Sequence, residues 1–182
     1  MVDAPTVPAK TERDLRSVDS SLVHSIGIDI GGTKIAGALV SDDGRILDEV
    51  RQPTPAEDPA AIMDLVVAMI ERLRSGNEVI AAGVAAAGFI DADQSTVYYA
   101  PNINWRHEPF RDQLRERVDL DVTIDNDANA AGWAEFRFGV AREAHHMTML
   151  TIGTGVGGAV VTGDRLLRGG FGTAGELRHL RI

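Results

Sequence analysis

A chain of 182 residues with 44% apolar composition and a formal net charge of -9 holds enough material for one ordinary domain or parts of two, with a sizeable core. The acidic balance excludes a nonspecific grip on nucleic acid, which needs a concentrated basic surface, and the zero cysteine count excludes disulfides and thiolate metal sites and suits a reducing cytoplasm. No stretch approaches the roughly 20 continuous apolar residues that span a bilayer, so no membrane partner is expected.

Residues 1–24 are mostly polar, lack the apolar core of a signal peptide and read as a disordered tail. In the run IGIDIGGTK, Ile26, Ile28 and Ile30 alternate as in a half-buried strand, with Asp29 on the other face. Gly31, Gly32, Thr33 and Lys34 follow, and a second apolar strand runs from Ile35 to Val40. A strand that empties into a carboxylate, two glycines, a hydroxyl and a lysine predicts a phosphate-handling turn. Its glycines would take backbone angles closed to other residues and bring N–H groups close to an anion. Because a strand follows instead of a helix, the unit is a hairpin, unlike a Rossmann or Walker loop.

The Asp-Gly signal in SDDGR, residues 41–45, predicts a turn into a third antiparallel strand, ILDEVRQ. From Asp58 to Arg74 apolar residues recur at helical spacing, with Pro59 in the first turn and Gly76 at the end. Glu78 to Ala85 reads as a buried strand that opens into AAAGFID, where small residues around Gly88 leave room for a ligand. A loop with Pro101, Asn102, Asn104 and Trp105 precedes a helix from Pro109 to Arg117. Asp121 to Asp125 predicts another strand, and residues 126–139 a small-residue-rich helix beginning at its carboxyl end, where ligands collect in α/β folds. Met147 to Ile152 and Ala159 to Thr162 read as strands around a second glycine turn, GTGVGG, at 153–158. Strand, glycine turn and strand thus occur twice, as expected for two related halves that clamp a nucleotide.

Phosphoryl transfer needs hydrogen-bond donors for phosphate, a divalent ion and a base against the acceptor hydroxyl. Gly31, Gly32 and Thr33 would line one phosphate loop, and Gly153, Thr154, Gly155 and Gly157 the other. Asp29 is the natural carboxylate near Mg²⁺, through water. Lys34 either reaches a phosphate or is a solvated side chain. Asp127 is the candidate base, against its reading as a helix cap, and the two glycine turns favour the base because no other loop carboxylate fills that role as well. Asp91 and Asp93 are weaker candidates for the base and read better as a solvated turn. The Asn102 amide suits a sugar hydroxyl, or else bonds its own loop. Glu176 and His179, three apart, could converge on a ligand, form half of a metal site, or pair on an exposed helix. His145 and His146 read as surface residues, and Trp105 and Trp133 as packing anchors.

Taken in order, DIGGTK, APNINW, IDNDANAA, LTIGTGVGG and GELRH resemble the ROK family of sugar kinases and repressors over residues 25–182, and within it the ATP-dependent glucokinases of actinobacterial type. The resemblance implies an α/β, actin-like (ribonuclease H-like) fold. Residues 25–120 would form the N-terminal lobe, and 121–182 the incomplete start of the second. It further implies ATP, Mg²⁺ and glucose or a related hexose in the cleft, with phosphate delivered to the sugar 6-hydroxyl. By position Asp127 resembles the family base, Asn102, Asn126, Asp127, Glu176 and His179 the sugar contacts, and the glycine turns the phosphate loops. His179 also resembles a ligand of the family's structural zinc, whose thiolate partners this cysteine-free chain lacks. Where the family usually has glycine before that histidine, this chain has Arg178. The motif order stops short of the family's cysteine-rich region, so the chain reads as a truncated kinase, a homodimer if full length. Two further readings stand beside glucokinase: a kinase for another hexose or N-acyl amino sugar, and a non-catalytic sugar-responsive regulator. Against the regulator, the polar residues before the first strand are too few for a winged helix-turn-helix, and the charge leaves no DNA footprint.

Overall fold

The computed structural model describes residues 23–152 and 156–176. The expected tail therefore lies outside the described residues except at its end, where His24 already opens the first strand. Strands β1 (His24–Ile30), β2 (Lys34–Ser41) and β3 (Ile46–Pro53) form the expected antiparallel meander. The turn between the last two is closed by the Gly44 N–H on the Ser41 carbonyl, with Gly44 at φ +84°, a conformation that glycine adopts without a Cβ clash.

Helix α1 (Pro59–Arg74) begins one residue after Asp58, whose carboxylate accepts the Ala61 N–H at 3.1 Å as an N-cap. Its apolar stripe, Ile62, Val66, Ile70 and Leu73, is buried. Strand β4 (Val79–Ala86) follows and runs parallel to β1, the crossover that a helix permits.

The segment expected to be an open loop instead holds a small sheet, β5 (Phe89–Ile90), β6 (Val97–Tyr99) and β7 (Arg106–Glu108), in that order. Its first turn is held by Asp91, which accepts from the Ser95 and Thr96 N–H groups and from the Ser95 hydroxyl. Helix α2 (Phe110–Val118) is the predicted helix shifted by one residue, stopped by Asp119 in a left-handed conformation.

Strand β8 (Asp121–Asn126) pairs in parallel with β4 and is the edge strand of the first sheet, whose order is β3-β2-β1-β4-β8. Its Val122 and Ile124 join the core built by α1, α2 and the inner faces of β1 and β4, so burial fixes its place. Helix α3 (Asp127–Arg137) leaves that strand at once and packs on a second sheet made of β9 (His146–Ile152), β10 (Val156–Thr162) and β11 (Arg165–Leu166), ordered β11-β10-β9. The approach is close. A Cβ on Gly132 would lie 2.3 Å from that of Ala159, so only glycine lets α3 lie this near β10. Among the described residues no helix is long and apolar enough to cross a membrane.

Candidate active site

The turn between β1 and β2 is tighter than the sequence suggests. The Gly31 N–H donates to the Lys34 carbonyl at 3.0 Å, and the Thr54 hydroxyl donates to the Gly31 carbonyl at 2.6 Å. Neither Gly31 nor Gly32 has a positive φ, and the Gly31 amide already has a partner. The expectation of unusual backbone angles is therefore corrected: Gly32 is needed because a Cβ there would come within 2.6 Å of the Asn102 Cβ. The glycine brings the Asn102 loop against the turn. Gly32 and Thr33 remain at the tip, where an anion can approach.

At the junction of β8 and α3 the helix cap is Asn126. Its side-chain oxygen accepts the N–H groups of Ala128 at 2.9 Å and Asn129 at 3.1 Å, and its amide donates to the Gly88 carbonyl at 3.1 Å. The cap that competed with the base reading of Asp127 thus falls one residue earlier. Asp127 is the first residue of the helix, exposed, with one carboxylate oxygen 2.9 Å from the Ala128 N–H and its charge at the favourable end of the helix dipole.

The loop carrying Asn102 is anchored by alternation. Ile103 and Trp105 enter the core, Trp105 against Phe110 with ring centroids 4.9 Å apart, and Asn102 and Asn104 stay at the surface. From the second sheet, Gly157 lets β10 pass the start of α3, since a Cβ there would lie 2.7 Å from the Thr151 hydroxyl and 2.9 Å from the Ala128 Cβ. The expected glycine turn is shorter than predicted: Val156, Gly157 and Gly158 already belong to β10. The segment after β11 returns to the site, its Ala174 N–H donating to the Arg168 carbonyl and its Glu176 N–H to the Thr173 carbonyl. Gly175 faces the Gly158 carbonyl and the Asn129 side chain so closely that a Cβ would lie 2.5 Å from the former.

Asn102, Asn126, Asp127, Gly157 and Glu176 therefore line one cavity of about 380 Å³, walled also by Gly88. Of the remaining predicted site residues, Gly31, Gly32 and Thr33 form the turn between β1 and β2, Asp29 and Lys34 belong to those strands, and Asp29 lines a separate cavity together with Asp125 and Arg168. Gly153, Thr154, Gly155, Arg178 and His179 lie outside the described residues. Trp105 and Trp133 are packing residues as expected, and Asp91 is a turn residue.

The Asp29 carboxylate feels the charge of Asp127. Partial burial in the cleft, then the charge of Asp127, push the Asp29 carboxyl above its ordinary range, and Lys34 pulls the other way. Among the described residues no group of three or more metal-ligating side chains exists. That donor set fits an ion such as Mg²⁺, held by one or two carboxylates, water and substrate phosphates. It does not fit structural zinc, because the chain has no thiolate to complete a tetrahedron around His179.

The sequence reading missed Asp125. Its carboxylate accepts from Arg168 Nη2 at 2.6 Å and Nε at 3.0 Å, from Gln94 Nε2 at 3.1 Å, from Asn129 Nδ2 at 3.1 Å and from the Asn126 N–H at 2.8 Å. The only sequence signal was the density of acid and amide side chains in DNDAN. Nothing local to Arg168 announced it.

The ROK family model matches residues 25–182. A glucokinase of Streptomyces coelicolor is 46% identical over 158 residues, 87% of this chain and 50% of the relative. An N-acetylmannosamine kinase of Escherichia fergusonii is 37% identical over 157 residues, 85% of this chain and 53% of the relative. Among solved structures, a ROK family glucokinase from Streptomyces griseus in complex with glucose and AMPPNP superimposes with a TM-score of 0.82 at 45% identity, covering 87% of this chain and 51% of that one. The chain spans about half the length of these relatives.

Proposed function

This chain belongs to the ROK family, and from that premise we propose that it carries the hexose-binding and proton-accepting part of a glucokinase-type sugar kinase, which moves the γ-phosphoryl group of ATP to the 6-hydroxyl of glucose. The observation that carries the reading is the convergence of Asn102, Asn126, Asp127 and Glu176 on one cavity beside the Asp29 turn. Glucose is preferred over an N-acyl amino sugar because identity is higher to the glucokinase, 46%, than to the N-acetylmannosamine kinase, 37%.

In this reading Asp127 accepts the proton of the sugar 6-hydroxyl as its oxygen attacks phosphorus. Its exposure at the cavity wall and the transfer of the capping duty to Asn126 leave one carboxylate edge for that bond. Asn102 and Glu176 orient sugar hydroxyls from the lining of the cavity, and Asn126 fixes the wall between Gly88 and α3 while offering its second amide hydrogen. The tip of the glycine turn, Gly32 and Thr33, faces phosphate, with Lys34 as counter-charge. Bound Mg²⁺ would supply charge neutralisation on the transferring phosphates, and Asp29, ionised, would hold it through water.

The test is a coupled assay of glucose 6-phosphate formation from glucose and MgATP by the chain and by Asp127→Asn. Formation is expected to fall by about 10² to 10⁴ fold in the variant, the scale of a lost general base. Formation at the unsubstituted rate would contradict the assignment.

A further inference from the structure

Asp125 lies two residues before Asp127, yet its side chain turns away from the cavity and is only 14% exposed. Four segments converge on it. β8 supplies the carboxylate, α3 supplies Asn129, the small sheet's first turn supplies Gln94, and the segment after β11 supplies Arg168. Both Arg168 nitrogens bond one carboxylate oxygen, Oδ2, which also takes the Gln94 amide, and Oδ1 takes the Asn129 amide and a backbone N–H. The carboxylate is saturated by charge-assisted and neutral bonds, as a buried charge must be to persist. Gln94 holds a left-handed φ of 52°, uncommon for a residue with a side chain, while its amide reaches both Asp125 and the Ile124 carbonyl.

The ion pair sits at the root of the segment that carries Glu176. The Arg168 carbonyl accepts the Ala174 N–H, so this residue closes the base of the loop with its backbone and ties it to β8 with its side chain. The loop then has little freedom to relax: a Cβ at Gly172 would lie 2.2 Å from the Ile90 carbonyl, and one at Gly175 would lie 2.9 Å from Asn129 Oδ1. Asn129 is itself held by Asp125.

We infer that Asp125 and Arg168 are positioning residues: their ion pair sets the segment carrying Glu176 against Asp127 at the start of α3, and thereby sets the width of the sugar cavity before any ligand arrives. The inference rests on the kinase reading for what the cavity binds, and on the bonds above for the clamp itself. Neither residue touches the reacting groups.

The experiment compares the unsubstituted chain with Arg168→Met, which keeps length without charge, and Arg168→Lys, which keeps charge without the fork. Amide hydrogen exchange of residues 174–176 and calorimetric glucose affinity are read on each, with a thermal melt to verify folding. Arg168→Met is expected to speed exchange at 174–176 and weaken glucose binding by roughly tenfold each, the size of a lost charge-assisted hydrogen bond, with Arg168→Lys between. Should Arg168→Met fail to fold, Arg168→Lys decides alone through the same shift. Unchanged exchange in the folded variants overturns the clamp even where glucose binds normally. Faster exchange in a chain that binds no glucose upholds the clamp and refutes the kinase reading.

Discussion

The like charge of Asp127 reaches Asp29, and the fold bears the cost there. Its carboxyl is raised above the usual 3.8, chiefly by burial and then by Asp127. Between the unfolded and folded values the folded state holds more protons, so stability falls as pH rises through that window and stays lower at neutral pH. Asp29→Asn is therefore expected to raise the melting temperature at pH 7 and to lose the gain in acid, while abolishing Mg²⁺-dependent turnover. A lower melting temperature at pH 7 would contradict this. Asp91 has the opposite sign: burial raises its pKa, but the bonds from Ser95 and Thr96 outweigh it and bring the net value down. Its contribution is present above the unfolded value and lost as pH falls through the folded one. At Gly32 the constraint is steric. Gly32→Ala should displace the Asn102 loop, because the new methyl would sit 2.6 Å from the Asn102 Cβ, and so weaken sugar binding more than it lowers the melting temperature.

At the scale of elements, α3 decides how the site is presented. Asn126→Ala removes the acceptor for two helix N–H groups and the bond to Gly88, and is expected to cost about 1–2 kcal/mol in a denaturant titration, the upper range for a lost cap. A change within a few tenths of a kcal/mol would show that another group takes over. Helix α1 was legible in the sequence because its stripe, Pro59 in its first turn and Gly76 all agree. The meander was legible from the alternation of Ile26, Ile28 and Ile30. The small sheet was not, because strands of two and three residues carry no readable period, and its Asp91 turn looks like any polar loop. The Gly31 and Gly32 turn was located correctly, but the reason for glycine was not. The close approach to Asn102, 70 residues away in sequence, exists only in three dimensions.

For the whole molecule, the fold is α/β and of the actin-like kind shared by ROK structures, with a five-stranded mixed sheet followed by a second sheet that repeats its opening meander. The assignment of β8 to the first sheet places Asp127 at the joint between the two sheets, so both can contribute to one cavity. The place of β8 in the first sheet was not legible in the sequence because parallel pairing with β4 leaves no local mark. The Asp125–Arg168 pair, 43 positions apart, was hidden for the same reason. We propose that this joint is a hexose site. A calorimetric titration of the chain with glucose, repeated on Asn102→Ala and Glu176→Gln, tests it most directly. Saturable single-site binding, weakened roughly tenfold or more by each substitution as expected for lost hydrogen bonds to a ligand hydroxyl, is the result the geometry predicts. Absence of saturable heat, or binding indifferent to both substitutions, would contradict it.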